Sequence, residues 1–454
     1  MNIVVINGSP KGQNSITLQT VHYLSLLHPE HTFEILNVGS RIKALEKDLS
    51  PAVSALQNAE LLLFSYPVYT FIAPYQLHRF IELIKAAGVD LQGKYATQLS
   101  TSKHFYDVTA HAYIRDNCHD LGLRYIRGLS ADMDDLTTRK GQSQAREFFS
   151  YICFCMQNGI CEPVPAPAPA PAKLPVAIPT EITEQAEGDV VVLTNCEQDD
   201  TQLADMIARF RAVMPRKTRL INIREFPFKG GCLGCFNCAV SGKCIYTDGF
   251  DDYLRNTIQT AQAIVIAFTV KDHSMGASFK LYDARQFCNG HRPVTMGMPM
   301  GYLVSGNLAA EANLQTIIEG RAQVGSNFLA GVATDQTDPN GEIDTLARSL
   351  EYAISTAYVP PQNFYGIGGM KIFRDLIWLM QGMMRADHKF YKKHKQYDFP
   401  QKQRGKMLAM YLVGSLLSSP KLKAKMGNKM NEGMLMPYRK VLKALEQQTT
   451  DKNK

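Results

Sequence analysis

Four cysteines lie close together in the middle of the chain. They are separated by two, two and five residues, in the order Cys232, Cys235, Cys238 and Cys244. Four thiolates at this spacing can wrap one compact inorganic centre, and nearby glycines allow the backbone to fold around it. Three closely spaced cysteines favour an iron–sulfur cube over zinc, which more often takes two separated Cys-x-x-Cys pairs. Structural cysteines without a metal are the third interpretation that the spacing leaves open.

A second candidate site follows the first predicted strand. The loop Gly8-Ser-Pro-Lys-Gly-Gln-Asn-Ser15 joins the apolar run Ile3–Asn7 to a predicted helix. Free backbone N–H groups and the dipole at a helix start favour a bound anion, and the loop adds side-chain donors and a positive charge. The loop therefore predicts phosphate binding, with an ordinary capped turn as the alternative. The candidate phosphate ligands are Ser9, Lys11, Asn14 and Ser15.

Two further loops follow predicted strands of the same sheet. Parallel strands bring their carboxyl ends to one edge, so these loops border a shared crevice where the strand order reverses. Pro67 would stiffen its loop, and Tyr69 could lie against a planar ring. Ordinary strand-end turns are the alternative. The candidate residues are Pro67, Val68, Tyr69 and Thr70 after the third strand, and Thr101 and Ser102 after the fourth.

The elements that must position these residues alternate between short apolar runs and helical patterns. Such alternation implies right-handed crossovers and a parallel sheet that is covered on both faces. The pattern occurs twice along the chain. We therefore predict an α/β protein with two doubly wound, flavodoxin-like parallel-sheet domains in tandem and a C-terminal helical extension.

Composition divides the 454 residues into four parts. An alternating Pro/Ala run at residues 163–172 cannot form a regular hydrogen-bonding ladder and predicts an extended spacer between domains. We place a first domain at residues 1–160, the linker at 161–187, a second domain at 188–359 and a basic helical extension at 360–454. In the second half of the chain, the cysteine cluster is an insertion after the second predicted strand.

The distribution of charge and apolar residues bears on whether the protein binds nucleic acid or a membrane. Residues 371–454 carry 19 Lys/Arg against 6 Asp/Glu, so the excess positive charge lies in the tail. This tail predicts contact with an acidic redox partner or an anionic membrane surface, or else a solvated helix face. No nucleic-acid-binding motif accompanies the charge. The apolar stretch Met407–Leu417 is too short for a membrane span, and Met1 opens directly into a strand-like run, so we expect a cytoplasmic protein.

Two stretches resemble known flavoproteins. The first loop, followed by Pro-Val-Tyr after strand three, resembles the NADPH-dependent FMN reductase family. That resemblance implies non-covalent FMN, with its phosphate on residues 9–15 and its isoalloxazine on residues 67–70 and about 100–104. The cysteine stretch, together with the segment from Ser274 to Arg285, resembles the iron–sulfur flavoproteins. Their compact motif holds a [4Fe–4S] cluster beside FMN, and paired subunits bring the cluster of one near the flavin of another.

The second domain departs from this pattern in its first loop. Glu197, Asp199 and Asp200 stand where phosphate donors would be expected, and their charges would repel a phosphate. We therefore expect a division of labour in which the first domain holds FMN and the second holds the cluster.

These observations together predict an FMN-dependent oxidoreductase that relays electrons between NAD(P)H or a reduced carrier, FMN and a [4Fe–4S] cluster. One alternative is an NAD(P)H:FMN or quinone reductase with a structural zinc site. Another is a non-catalytic electron carrier or docking protein. No acid–base pair in the sequence is convincing, so the catalytic side chains stay unassigned. The FMN reductase relatives also imply a possible homo-oligomer.

Overall fold

The structure, a computed structural model, describes residues 1–166, 171–180, 185–417 and 447. Its contacts divide the chain into two compact units, Met1–Tyr391 and Lys392–Lys454. The first unit contains both sheets. Part of the basic tail, including the run from Lys421 to Lys425, lies outside the described residues.

The first sheet is parallel and has the strand order β2-β1-β3-β4-β5, with β6 also paired to β4. Its central strands read as nearly continuous apolar runs because both faces are covered by helices. Its strands are β1 (Asn2–Asn7), β2 (Thr32–Leu36), β3 (Leu61–Pro67), β4 (Tyr95–Ser102), β5 (Arg124–Tyr125) and β6 (Leu129–Asp132). Its helices are α1 (Ile16–Leu27), α2 (Val38–Leu45), α3 (Ser50–Asn58), α4 (Tyr75–Ala86), α5 (Asp107–Asp120) and α6 (Arg139–Asn158).

The second sheet repeats this topology. Its order is β8-β7-β9-β10-β11, all parallel, which is the first sheet's 2-1-3-4-5 order again. Its strands are β7 (Ala186–Thr194), β8 (Arg216–Asn222), β9 (Ala263–Thr269), β10 (Pro299–Ser305) and β11 (Phe328–Thr334). Its helices are α7 (Thr201–Val213), α8 (Asn237–Ser241), α9 (Phe250–Tyr253), α10 (Gly276–Arg285), α11 (Ala312–Val324) and α12 (Pro339–Thr356). The predicted tandem of two flavodoxin-like sheets is confirmed.

The two domains meet through equivalent helices. Helix α4 follows the third strand of its sheet, α10 follows the third strand of its own, and the two pack against each other. Glu82 Oε1 accepts a hydrogen bond from the backbone N–H of Ala277 at 2.7 Å. Lys85 lies 3.0 Å from Asp272 and 2.6 Å from Asp120, so one ammonium links both domains. This contact fixes how the loops at the ends of the third strands face one another.

Some predicted elements differ from those observed. The sequence predicts one last strand over Arg124–Leu129, whereas the structure has the short strand β5 and then β6, which begins at Leu129. The break contains Gly128, where a Cβ would lie 2.3 Å from the Gln98 side chain, so β4 crowds the backbone there. Helices α2 and α3 have only 8 and 9 residues, so neither carries a long periodic pattern in the sequence.

The segment after the Pro/Ala run lies along the second domain. Leu174 N donates to Asp335 O at 2.8 Å, and Lys173 Nζ donates to Ser305 Oγ at 2.9 Å. The boundaries that we predict for the domains and the linker stay predictions. After the second domain come α13 (Phe364–Leu379), α14 (Arg385–Lys393) and α15 (Arg404–Leu417), in agreement with a helical extension. Within the described residues, every helix is too short or too polar to cross a membrane.

Candidate functional site

A cleft opens at the carboxyl edge of the first sheet. It is bordered by the loops after β1, β3 and β4. The cysteine segment of the second domain forms another part of its wall. Nearly all candidate residues from the sequence therefore meet at one place; Asn14 is exposed and lies off the wall. The predicted residues that line the cleft are Ser9, Lys11, Ser15, Pro67, Val68, Tyr69, Thr70, Thr101, Ser102, Cys232, Cys235, Cys238 and Cys244.

The loop after β1 is built around buried serines. Ser15 Oγ accepts from Leu18 N at 3.4 Å and caps α1, while Ser9 Oγ accepts from Lys11 N at 3.3 Å. The Asn7 side chain donates to Gly12 O at 3.0 Å and holds the loop against the sheet. Serine hydroxyls, a lysine and the first turn of α1 therefore converge at one end of the cleft, and this donor set suits a phosphate.

The loop after β3 has a strained backbone. Thr70 and Phe71 both have positive φ angles, 48° and 70°, and Tyr69 and Ile72 bridge across the turn. Such conformations are uncommon for residues other than glycine and need support from the surroundings. Burial raises the pKa of Tyr69 well above its ordinary value, and Cys232 and Cys235 raise it further. The phenol thus stays protonated beside the cysteine segment.

The residues 229–246, which we call the cysteine segment, contact the first domain directly. Lys43 Nζ donates to Lys229 O at 2.7 Å, and Lys11 Nζ lies 5.8 Å from the centre of the Phe236 ring. At Gly234, whose φ is 62°, a Cβ would lie 1.9 Å from the Tyr69 hydroxyl. The second domain therefore closes one side of the first domain's cleft, with both parts on a single chain.

Of the four cysteines in this segment, Cys235 is exposed and the other three are half-buried. Burial raises the pKa of Cys232 to about 11 and that of Cys238 to about 12, so both thiols are protonated at neutral pH. Over the described part of the chain, no three His, Cys, Asp or Glu side chains are arranged to hold a metal ion. The metal site that the sequence predicts at Cys232, Cys235, Cys238 and Cys244 stays a prediction, because ligation needs thiolates drawn together around the metal.

One wall of the cleft, which we call the roof, is apolar and was not indicated by the sequence. Ile372, Phe373 and Leu376 of α13 line it together with Phe105 of the first domain. Phe105 and Phe373 stack with ring centres 4.2 Å apart. The apolar spacing of α13 predicts only a packed helix, since which helix faces a remote loop depends on tertiary packing. These side chains give the cleft an apolar wall opposite the polar loops.

The equivalent crevice of the second domain is built differently. Asp200 caps α7 by accepting from Leu203 N at 3.3 Å, and its other oxygen accepts from the Thr269 hydroxyl. A carboxylate thus occupies the position where a phosphate would meet the helix. Glu197 and Asp199 line the same crevice, as do Arg79, Arg224 and Lys271, and Arg224 pairs with Glu197 at 3.0 Å. The carboxylate at the start of the helix does not suit a phosphate. That only the first domain holds FMN stays a prediction.

A family model matches the first domain. Residues 1–135 match a family model described as the flavodoxin-like fold. A curated relative from Pseudomonas syringae pv. tomato is named FMN-dependent NADH:quinone oxidoreductase 2. It is 29% identical over an alignment of 126 residues that covers 20% of this chain and 60% of the relative. The chain therefore spans about 60% of the length of the curated relative that it matches.

Several solved structures are similar over about a third of the chain. An NADH:FMN oxidoreductase in its apo form is 22% identical, with a TM-score of 0.30, and the match covers 36% of this chain and 91% of that one. An FMN-dependent NADH-azoreductase from Bacillus anthracis, in complex with FMN, is 14% identical with a TM-score of 0.27, covering 33% and 98%. The NAD(P)H:quinone oxidoreductase from Methanothermobacter marburgensis is 12% identical with a TM-score of 0.27, covering 37% and 99%.

The family match falls on the half of the chain that supplies the polar loops of the cleft. Strand order extends the same architecture to the second half. Both domains have a flavodoxin-like fold, and the sequence match to that fold family lies in the first of them.

Proposed function

We propose that this protein is an FMN-dependent oxidoreductase that takes reducing equivalents from NAD(P)H and passes them to a quinone-class acceptor. The observation that carries the proposal is the cleft of the first domain. There, a phosphate-binding type of loop, an aromatic loop and an apolar roof meet at the switch point of a flavodoxin-like sheet. The named activity of the curated relative is of the same kind.

Each part of the cleft has a separate task in this proposal. Ser9, Ser15 and Lys11 would bind the phosphate, and the first turn of α1 adds its dipole. The Tyr69 loop and Thr101 would hold the flavin ring; Thr101 Oγ1 lies 2.6 Å from Thr17 Oγ1, which fixes the end of β4 to α1. When bound, FMN supplies hydride acceptance as an electron pair and the release of electrons singly.

The apolar roof supports the proposed acceptor class. Phe105, Phe373 and Leu376 offer flat and aliphatic surface in the cleft. An apolar planar molecule gains most from such a wall because its burial removes apolar surface from water. A quinone has this shape and polarity.

Replacing Ser15 with aspartate tests the proposal. Ser15→Asp gives the first domain the carboxylate cap that the second domain has at Asp200, so we expect FMN affinity to fall by at least tenfold through charge repulsion. Wild-type protein should bind one FMN per chain and be reduced by NAD(P)H. The matched control is Thr138→Asp, which adds the same charge at the N-cap of α6. Flavin fluorescence titration measures both; equal affinities would contradict the assignment of the phosphate loop.

We also propose, as a finer form of this function, that the cysteine segment holds a [4Fe–4S] cluster that exchanges single electrons with the flavin site. All four cysteines line the flavin cleft, and their spacing suits a cube better than zinc. Forming the site requires the thiols to lose protons and to draw together. Iron analysis and electron paramagnetic resonance of anaerobically reconstituted, reduced protein test it. An iron-free, silent protein would leave the reductase with zinc or plain cysteines.

A non-catalytic carrier is the remaining class of function. Reduction of the bound flavin by NAD(P)H alone favours the enzyme, whereas reduction by a protein donor only favours the carrier. The contacts predicted for the basic tail, with an acidic redox partner or an anionic membrane surface, stay predictions, as do a homo-oligomer and a cytoplasmic location.

A further inference from the structure

One lysine of the second domain is buried against the loop Tyr69–Ile72 of the first domain. We call this the flavin loop, because the function proposed above places the flavin ring beside it. Lys280 is 2% exposed. Its ammonium donates to Tyr69 O at 2.8 Å and to Thr70 O at 3.1 Å, and it also donates to the Thr70 hydroxyl. These bonds hold the two residues at the start of the strained turn. The backbone conformation of a first-domain loop therefore depends on a side chain that the second domain supplies.

The ammonium is part of a buried charge cluster. Asp283 Oδ2 lies 2.8 Å from Lys280 Nζ, and Asp283 Oδ1 accepts from Arg321. Burial lowers the pKa of Lys280 to about 8, so the group is still charged at pH 7. Two cations and one carboxylate leave one net positive charge behind the flavin loop. His78 also faces the cluster, but burial lowers its pKa well below the ordinary value, so this imidazole is neutral.

The same position in the other half of the molecule lacks this charge. In the second domain, Asp272 and His273 have positive φ angles of 51° and 59°, and Lys271 bridges to Ser274. This loop repeats the geometry of Tyr69–Ile72 at an offset of 202 residues. The offset pairs Lys280 of α10 with His78 of α4. His78 is buried, and its Nε2 has no hydrogen-bond partner.

The difference between Lys280 and His78 matches a difference between the two crevices. The crevice whose loop the lysine holds has the serine-rich phosphate loop, and the crevice on the histidine side has the carboxylate cap. A flavin that gains two electrons and one proton also gains one negative charge. A buried positive charge near that ring therefore stabilises the reduced form relative to the oxidised form.

We propose that Lys280 is a positioning residue for the flavin loop, and that the net positive charge of the Lys280–Asp283–Arg321 cluster raises the reduction potential of a flavin held in the first domain. The proposal rests on the function proposed above. It assigns the second domain a role in flavin chemistry that does not depend on a metal.

Lys280→Met tests the proposal in the FMN-loaded full chain. The variant removes the charge, the three contacts with Tyr69 and Thr70, and the pair with Asp283, at nearly constant side-chain length. We expect the reduced form to lose affinity about tenfold more than the oxidised form, which lowers the two-electron midpoint potential by about 30 mV. An anaerobic titration against a reference dye measures the potential. The matched control is Lys85→Met, which removes another ammonium between the domains, one that bonds to Asp120 and Asp272.

A second variant keeps the test valid if Lys280→Met unfolds the protein. Lys280→Met/Asp283→Asn removes a buried pair and leaves the Arg321 charge, so the potential should return toward the wild-type value while FMN binding stays weakened. Equal potentials in Lys280→Met and Lys85→Met overturn the inference alone. A low potential that the double variant keeps overturns the electrostatic part. A wild-type protein that binds no FMN contradicts the proposed function itself.

Discussion

Gly234 is the residue at which the cysteine segment meets the flavin loop most closely. Its φ angle of 62° favours glycine, and a Cβ there would collide with the Tyr69 hydroxyl. Gly242 in the same segment has a similar φ of 80°, but its nearest neighbour to a Cβ would be Arg292 at 3.4 Å. A substitution at Gly242 therefore tests backbone strain alone, whereas one at Gly234 tests backbone strain together with a clash between the domains.

The first prediction concerns this pair. Gly242→Ala should lower the free energy of unfolding by about 1 kcal/mol through backbone strain. Gly234→Ala should lower it by about 1–3 kcal/mol more, because the methyl group has no room beside Tyr69. Gly234→Ala should also speed the reaction of Cys235 and the other cysteines of the segment with a thiol reagent, because the segment loses its contact with Tyr69. Urea unfolding and thiol-modification rates measure both effects; similar values for the two variants would argue against the close contact.

At the scale of elements, α13, the first helix after the second domain, lines the candidate cleft. One face of this helix carries Phe373 onto Phe105, and the opposite face exposes Phe364, which is 83% accessible. A helix outside both sheets thus supplies a wall of the site. Its packing contributes both to stability and to the shape of the space beside the flavin loop.

The second prediction separates these two faces. Phe373→Ala should cost about 2 kcal/mol of unfolding free energy, since the partly buried ring and its stacking partner lose their contact. It should also raise the KM for a planar quinone acceptor several-fold. Phe364→Ala on the same helix should leave both quantities nearly unchanged. Denaturant titration and steady-state kinetics test this, and a quinone KM that ignores Phe373 would remove the roof from the proposed acceptor site.

At the scale of the whole molecule, charged groups connect the two domains. His273 of the second domain lies 3.1 Å from Asp120 of the first and 3.0 Å from Glu311. Burial alone would lower the pKa of His273, but the hydrogen bonds to these two carboxylates outweigh it and raise the pKa to about 10. The imidazolium therefore stabilises the paired domains at neutral pH.

The third prediction follows from the sign of this shift. A histidine whose pKa rises on folding stabilises the protein fully below its ordinary pKa of 6.5, and this contribution is lost as the pH rises to about 10. The stability difference between wild type and His273→Ala should therefore be largest near pH 6 and disappear toward pH 10. His104→Ala, which breaks a pair with Asp107 inside one domain, is the control. A difference that does not change with pH would exclude this linkage.

Local patterns explain what the sequence could predict. Loops that follow apolar strands must lie at one edge of a parallel sheet, so Ser9, Tyr69 and Thr101 could be brought together without a structure. The roof by Phe373 and the anchoring of Thr70 by Lys280 could not, because both are contacts between remote helices and loops. The metal site at the four cysteines stays a prediction, since spacing alone does not determine how far apart the sulfur atoms lie.

Both halves of the cleft belong to one polypeptide, and this has a consequence for how the protein behaves when it is dilute. Two separate subunits would part as their concentration fell below their dissociation constant. A covalent connection instead keeps the partner half nearby at any protein concentration. Turnover per chain should thus be the same at nanomolar and micromolar protein concentrations. The two halves can also differ in sequence, because neither half has to pair with a copy of itself.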